Sequence, residues 1–188
     1  MTRIAALTGL KREANLLAAT FRRAGHHINV EAAGVARGSA QRAADRLAAG
    51  RPDLIVSFGL AAGLNPDLAS GHLVIPRTIV APDGNRYTGE QMPLPELDCV
   101  LAHTSRILAG VNAPLLTSDD KRAVAEETGG CIADMETHFA AATARRTDCR
   151  LLVLRAVCDP VQRQIPPIFS TAIGADGGLR WYRIPGML

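Results

Sequence analysis

Residues 54–58, Leu-Ile-Val-Ser-Phe, and residues 151–156, Leu-Leu-Val-Leu-Arg-Ala, are nearly unbroken apolar runs. A strand with one face in water alternates apolar and polar side chains, whereas a strand covered on both faces does not. Such runs call for a sheet with structure packed above and below it. Around them lie segments with apolar residues at helical spacing, so strands alternate with helices along most of the chain. That order implies a central sheet with helices on both faces.

In chain order, residues 4–7 read as a strand, Thr8-Gly9 as a turn, and residues 11–24 as a helix with Ala14, Leu17, Ala18 and Phe21 on one stripe. Residues 28–33 read as a second strand. Gly34 to Gly38 bounds a turn, Ser39 caps a helix over 39–49, and Gly50 closes it. The run at 54–58 leads into a loop marked by Gly59 and Gly63. Residues 72–81 are strand-like but carry Pro76, which argues for an edge, a bulge or a bend. Pro82-Asp83-Gly84 is a turn. The spacing predicts an irregular loop over 88–95, a helix over 96–110, a short strand over 113–117 and a helix over 119–128 that stops at Gly129-Gly130. Then come a strand at 131–133, a helix from 135 to 146 and the strand at 151–156. After Pro160 the pattern weakens to prolines, a short helix at 168–173 and a Gly-Gly turn. A chain of 188 residues that is 47% apolar suits one domain, residues 1–188.

Charge and side-chain types exclude several functions. The 21 basic residues barely exceed the 18 acidic ones, and aromatics make up only 4%. No aromatic sits within Arg22-Arg23 or Arg145-Arg146, whereas a single-stranded nucleic-acid surface interleaves the two. Cys99, Cys131, Cys149 and Cys158 show no CxxC spacing, and the five histidines show no metal-ligand spacing. Neither a disulfide framework nor a metal site is expected. No apolar run reaches the roughly 18 residues of a membrane span, and no signal peptide precedes the first strand. The expectation is a soluble cytoplasmic protein without a nucleic-acid partner.

In sheets of this type ligands bind beyond the carboxyl ends of strands, which puts Glu136 and Asp159 at adjacent strand exits. The opening IAALTGLKREANLL, the glycine-rich PDLIVSFGLAAGLNPDLASGHLVIP, the helix start ADMET and the strand exit LRAVCDP follow in order up to about Pro160. In that order and spacing they resemble the nucleoside phosphorylase and nucleosidase superfamily, in particular its 5'-methylthioadenosine/S-adenosylhomocysteine nucleosidases. The subgroup it looks most like is the hopanoid-associated phosphorylases, whose substrate would be adenosylhopane. The resemblance implies a single-domain three-layer α/β/α sandwich around a mixed, mostly parallel sheet. It implies cleavage of the N-glycosidic bond of an adenine nucleoside, with Glu13 activating water, Met135 and Glu136 holding the ribose, and Asp159 protonating the purine. Further substrate contacts would fall on Leu60, Ala61, Gly63 and Asp134. No cofactor is implied, phosphate being an alternative co-substrate, and a homodimer is expected. The chain departs from the family at Leu60 or Ala61, where a small hydroxyl residue is usual, and at Lys121, where a base-stacking aromatic would fall. Apolar residues of 88–101 would line the dimer contact or receive a lipid-like tail.

The same residues can be read for chemistry alone. Cleaving an N-glycosidic bond requires a better leaving group and stabilisation of an oxocarbenium-like sugar. Asp159, beyond the apolar run and before Pro160, could protonate a ring nitrogen, or could simply initiate a turn. Glu136 could hold both ribose hydroxyls, or could be a carboxylate favoured by the helix dipole, with Asp134 as the cap. Glu13 could activate water or face solvent beside Lys11-Arg12. Gly59 and Gly63 could let backbone amides approach a ligand, or could simply form a structural turn. Arg155 and Arg77 could each meet an anion: Arg155 could orient Asp159, and Arg77 could touch a phosphate, although a surface or structural ion pair suits Arg77 better; His138 could at most support the site. Two other classes stay open: a nucleoside-binding relative without turnover, and a dinucleotide-dependent oxidoreductase, which the lack of GxGxxG after the first strand disfavours.

Overall fold

The computed structural model describes residues 2–34, 36, 38–90 and 107–166. The elements in chain order are β1 (Ile4–Thr8), α1 (Lys11–Arg23), β2 (Asn29–Ala32), α2 (Ser39–Ala49), β3 (Leu54–Gly63), β4 (Leu73–Val74), β5 (Thr78–Val80), β6 (Arg86–Thr88), β7 (Ile107–Gly110), α3 (Ser118–Thr128), β8 (Ile132–Asp134), α4 (Thr137–Arg146) and β9 (Arg150–Asp159). Both apolar runs become ten-residue strands, β3 and β9, and these pair in parallel along their length.

Among the described residues all nine strands join one sheet. Its path runs β2-β1-β3-β8-β7-β5-β6, with β9 paired to β3 and β4 off that path. Pairing is parallel at β1–β2, β1–β3, β3–β9, β5–β7 and β7–β8, and antiparallel at β3–β8, β4–β9 and β5–β6. The sheet is therefore mixed and mostly parallel, as the resemblance implied.

Neighbouring residues of β1 show how the layers form. Ala5 and Leu7 pack with Ala43, Ala44 and Leu47 of α2 and Ala140, Ala141 and Ala144 of α4. Ala6, between them, packs on the other face with Leu17 and Phe21 of α1. Strand side chains point alternately to the two faces, so both must be apolar where helices cover both. The alanines on α2 and α4 let those helices lie close to the sheet and to each other. A third cluster joins Val124 and Ala125 of α3 to Leu64, Ala109 and Ala133.

Local signals explain the helix boundaries. At α3, Thr117 Oγ1 accepts the Asp120 N–H at 3.1 Å and Asp120 Oδ2 accepts the Thr117 N–H at 3.0 Å, a reciprocal capping box. The helix ends at Gly129, whose φ of 69° is left-handed and favours glycine.

The structure corrects three expectations. Residues 107–110 form β7 rather than the end of a helix, and the rest of the segment 96–110 lies outside the described residues, as does the helix expected at 168–173. Residues 113–117 are no strand; Pro114 lacks the N–H a ladder needs, and the segment leads irregularly into the Thr117 cap. The loop expected from Gly59 to Gly63 is the second half of β3, because β9 continues to pair with it.

A Cβ added at Gly110, where β7 ends, would lie 2.6 Å from His138 Nδ1 and 2.8 Å from His138 Cβ. The histidine is rooted in α4 and cannot move aside without the helix. Gly110→Ala should therefore cost about 1–3 kcal/mol of stability, the usual range for overpacking, read as a lower midpoint in urea unfolding.

Candidate active site

Arg155 of β9 lies opposite Gly59 of β3 in the ladder and is fully buried. Its Nη2 donates to Ser57 Oγ at 2.7 Å and to Thr137 Oγ1 at 2.8 Å, and pairs with the Asp134 carboxylate. Thr137 donates its hydroxyl to Asp134 Oδ2 and its N–H to Asp134 Oδ1, the latter at 3.1 Å. One cation thus ties β9 to β3, to the end of β8 and to the first turn of α4. Asp134 is spent on this network, which also gives α4 its cap from within the preceding strand. Arg155 does not orient Asp159: four residues along a strand span roughly 13 Å, and its side chain turns to Asp134 instead.

Gly59 has φ of 153°, a conformation L side chains rarely adopt. A Cβ there would meet Arg155 Nη1 at 2.6 Å and Glu13 Oε1 at 2.8 Å, so only glycine fits. Among the described residues, Nη1 and Nε of Arg155 have no hydrogen-bond partner. A buried, unpartnered guanidinium N–H and a carboxylate oxygen therefore meet at the surface of one glycine.

Glu13 is placed by the start of α1. Its Oε2 accepts the Leu10 N–H at 2.7 Å, closing the first turn, and its Oε1 accepts the Leu60 N–H at 2.9 Å. Leu60 serves through its backbone, while its side chain is exposed. Glu136 sits at the N-cap of α4, its Oε1 3.1 Å from where a Gly9 Cβ would lie. Burial pushes its carboxyl up to about 8; Asp134 and Glu13 push the same way, and Arg155 opposes them. Met135 beside it is half-buried.

Asp159 ends β9, where a bulge shifts the register so that it pairs with Ala62. On the other side Ala62 pairs with Ala133 of β8, two residues before Met135. Asp159 and the junction carrying Met135 and Glu136 thus adjoin the same end of β3, with strand spacings of about 4.8 Å between neighbours. The Asp159 carboxylate is buried: Oδ2 is 2.7 Å from Lys121 Nζ, and Oδ1 accepts from the Cys158 thiol. Burial, then the bond to Asp159, push that thiol up to about 12. Ala61 contributes its carbonyl, which accepts from Cys158 Sγ at 3.4 Å. At Gly63 a Cβ would lie 3.1 Å from Val157 Cγ1 and 3.3 Å from Pro160 Cα, so this glycine allows close packing of the strand exit.

Arg77 is displaced from all of this. It is exposed beside a cavity of about 390 Å³ that Asp148, Arg150 and Leu151 also line, at the start of β9. A ten-residue strand puts that end roughly 30 Å from Asp159, so a phosphate there could not reach the other carboxylates. His138 is buried against Phe139, and burial lowers its affinity for a proton. Lys121 is the residue sequence reasoning placed least well. It is fully buried under Asp159, out of reach of any stacking role, and a lysine in an otherwise polar helix start gives no sign of that.

The family model for the phosphorylase superfamily matches residues 4–168. The chain belongs to that superfamily. Solved structures of the same fold include 5'-methylthioadenosine/S-adenosylhomocysteine nucleosidases from three bacteria. That of Neisseria meningitidis, in complex with methylthio-immucillin-A, is 15% identical, with a TM-score of 0.75 and coverage of 86% of this chain and 87% of that one. That of Streptococcus pneumoniae, in complex with 8-aminoadenine, is 15% identical, with a TM-score of 0.74 and coverage of 94% of each chain. That of Campylobacter jejuni is 15% identical, with a TM-score of 0.73 and coverage of 87% and 88%. Among curated proteins no sequence match to the chain was found.

The raised Glu136 carboxyl has a consequence for stability. The folded chain holds this proton more tightly than the unfolded one, so its contribution is fully present below about 4.5 and is lost as pH rises towards about 8. Glu136→Gln cannot titrate. The melting temperature of the natural chain relative to this variant should therefore fall across that window and level off above it, as calorimetry at a series of pH values would record.

Proposed function

We propose that the chain hydrolyses the N-glycosidic bond of an adenine nucleoside and releases adenine. The observation that carries this reading is the meeting of Glu13 Oε1 and Arg155 Nη1 at Gly59. A water held there donates to the carboxylate and accepts from the guanidinium, which directs an oxygen lone pair towards a sugar bound against Gly59. Glu13 takes the proton as the water attacks. Glu136 lies over Gly9, next to this position, where its two oxygens can hold the ribose hydroxyls. As the C–N bond breaks, positive charge grows on the sugar, and nearby carboxylates stabilise it. Asp159, one ladder step beyond Ala61, faces the departing base.

Electrostatics favour water over phosphate. The charge of Arg155 is already met by Asp134, so Glu13 and, once it has lost its proton, Glu136 leave the pocket acidic, which repels an anion and welcomes a developing cation. The relatives named above supply the adenine and the 5'-thioether as substrate features, and a 5'-hopane chain is a second candidate for the substituent. A binding relative without turnover is the other reading. It draws on the neighbours of the two Asp159 oxygens, the Lys121 ammonium beside Oδ2 and the Cys158 thiol bonded to Oδ1.

Incubation with methylthioadenosine, adenosylhomocysteine, adenosine or adenosylhopane, with and without phosphate, should yield free adenine in both conditions. A strict need for phosphate would defeat the hydrolytic reading, and nucleoside binding without adenine release would favour the other. Glu13→Gln should lower kcat about 10²–10⁴-fold, the usual contribution of a general base. Because Glu136 must be ionised to stabilise the sugar cation, kcat/KM should rise with pH up to about 8, and this limb should vanish in Glu136→Gln.

A further inference from the structure

The Lys121 ammonium is fully buried in α3, yet among the described residues four oxygens surround it: Asp159 Oδ2 at 2.7 Å and the carbonyls of Asp159, Pro160 and Arg163 at 3.3, 3.0 and 2.9 Å. Burying a lysine is costly unless its charge is matched and its protons bonded. Here both conditions are met, at the one carboxylate that faces the base in the reading above. If the chain needed only to anchor the exit of β9 to α3, a neutral side chain bonded to the carbonyls would do so without burying charge.

We propose that Lys121 and Asp159 act as one acid for the departing base, Lys121 being the positioning residue that holds Asp159 in place and stores the proton the pair delivers. This rests on the glycosidic reading. Asp159 alone, as the partner of an ammonium, has no proton to give. The pair has one. As the C–N bond breaks, its electron pair passes to the base, while the Asp159 carboxylate draws a proton from Lys121 Nζ and hands it on to a ring nitrogen. Lys121 is left as a neutral amine beside a carboxylate and recovers its proton by way of Asp159 once the base has left. Around the pair, Cys158 faces Asp159 from its own strand, β3 presents Ala61 and Ala62, and α3 presents Lys121 itself.

The test compares two substrates. Adenine must be protonated to leave, whereas 4-nitrophenolate leaves without a proton, so 4-nitrophenyl β-D-ribofuranoside bypasses the acid but uses the same sugar site. Lys121→Met should lower kcat on the best adenine nucleoside about 10–100-fold and leave kcat on the nitrophenyl riboside within about twofold. Lys121→Gln keeps donors for the carbonyls without the charge and serves where methionine impairs folding, with circular dichroism as the check on both. Equal losses on the two substrates, or no loss on either, would overturn the proposal and leave the glycosidic reading standing. If the natural chain released adenine from no nucleoside but still cleaved the nitrophenyl riboside, the joint acid would be refuted while the sugar site survived. Inactivity on every riboside would remove both.

Discussion

The buried pairing of Arg155 with Asp134 is the constraint on which the site's geometry depends. Removing one member of such a pair leaves an uncompensated charge in the interior, which is far more costly than the pair itself. The guanidinium also bonds Ser57 and Thr137, so strands β3 and β9 and the β8–α4 junction are fixed by one side chain. That junction carries Met135 and Glu136. Because Asp134 satisfies the cation, charge on the neighbouring glutamates is left unbalanced once they ionise, which in the proposed reaction suits a sugar that becomes positive and not an incoming anion.

Two of the site carboxylates are set apart by what stands beside them. Glu136 is enclosed with other carboxylates nearby and its principal cation committed elsewhere, so it holds a proton more tightly than an ordinary glutamate. Asp159 has an ammonium 2.7 Å away. Separating two acids by environment is how one pocket assigns them different tasks. In this fold the separation follows from topology: α4 brings Glu136 in over Gly9, while α3 brings Lys121 in beneath Asp159.

The layered architecture was legible because runs such as 54–58 can be stable only between two covers, and the short alternation of strands and helices leaves few other arrangements. Glu13 and Glu136 could be nominated because each stands at the start of a helix next to a strand exit. What could not be read is which strands are neighbours. The partners of Arg155 lie 98, 21 and 18 positions away, on β3, β8 and α4, so sequence proximity suggested Asp159 instead. The same lack of register information assigned Arg77 to the site, although it sits at the opposite end of β9. Strand β7 was missed because Ile107 to Gly110 is a short apolar run, which periodicity cannot distinguish from a helix end. Lys121 was hidden for a different reason: whether a lysine is buried depends on carbonyls from β9 and the residues after it, not on its own helix.

In the proposed reaction Glu13 also joins two jobs that are usually kept apart. Its carboxylate latches the Leu10 amide at the start of α1 and the Leu60 amide in β3. If a proton arrives on that carboxylate during turnover, both latches weaken at once, and the first turn of α1 loosens from the sheet. The amides of Leu10 and Leu60 would thus be built-in reporters of the proposed reaction: their exchange with solvent deuterium would track the charge on a side chain that neither residue contains.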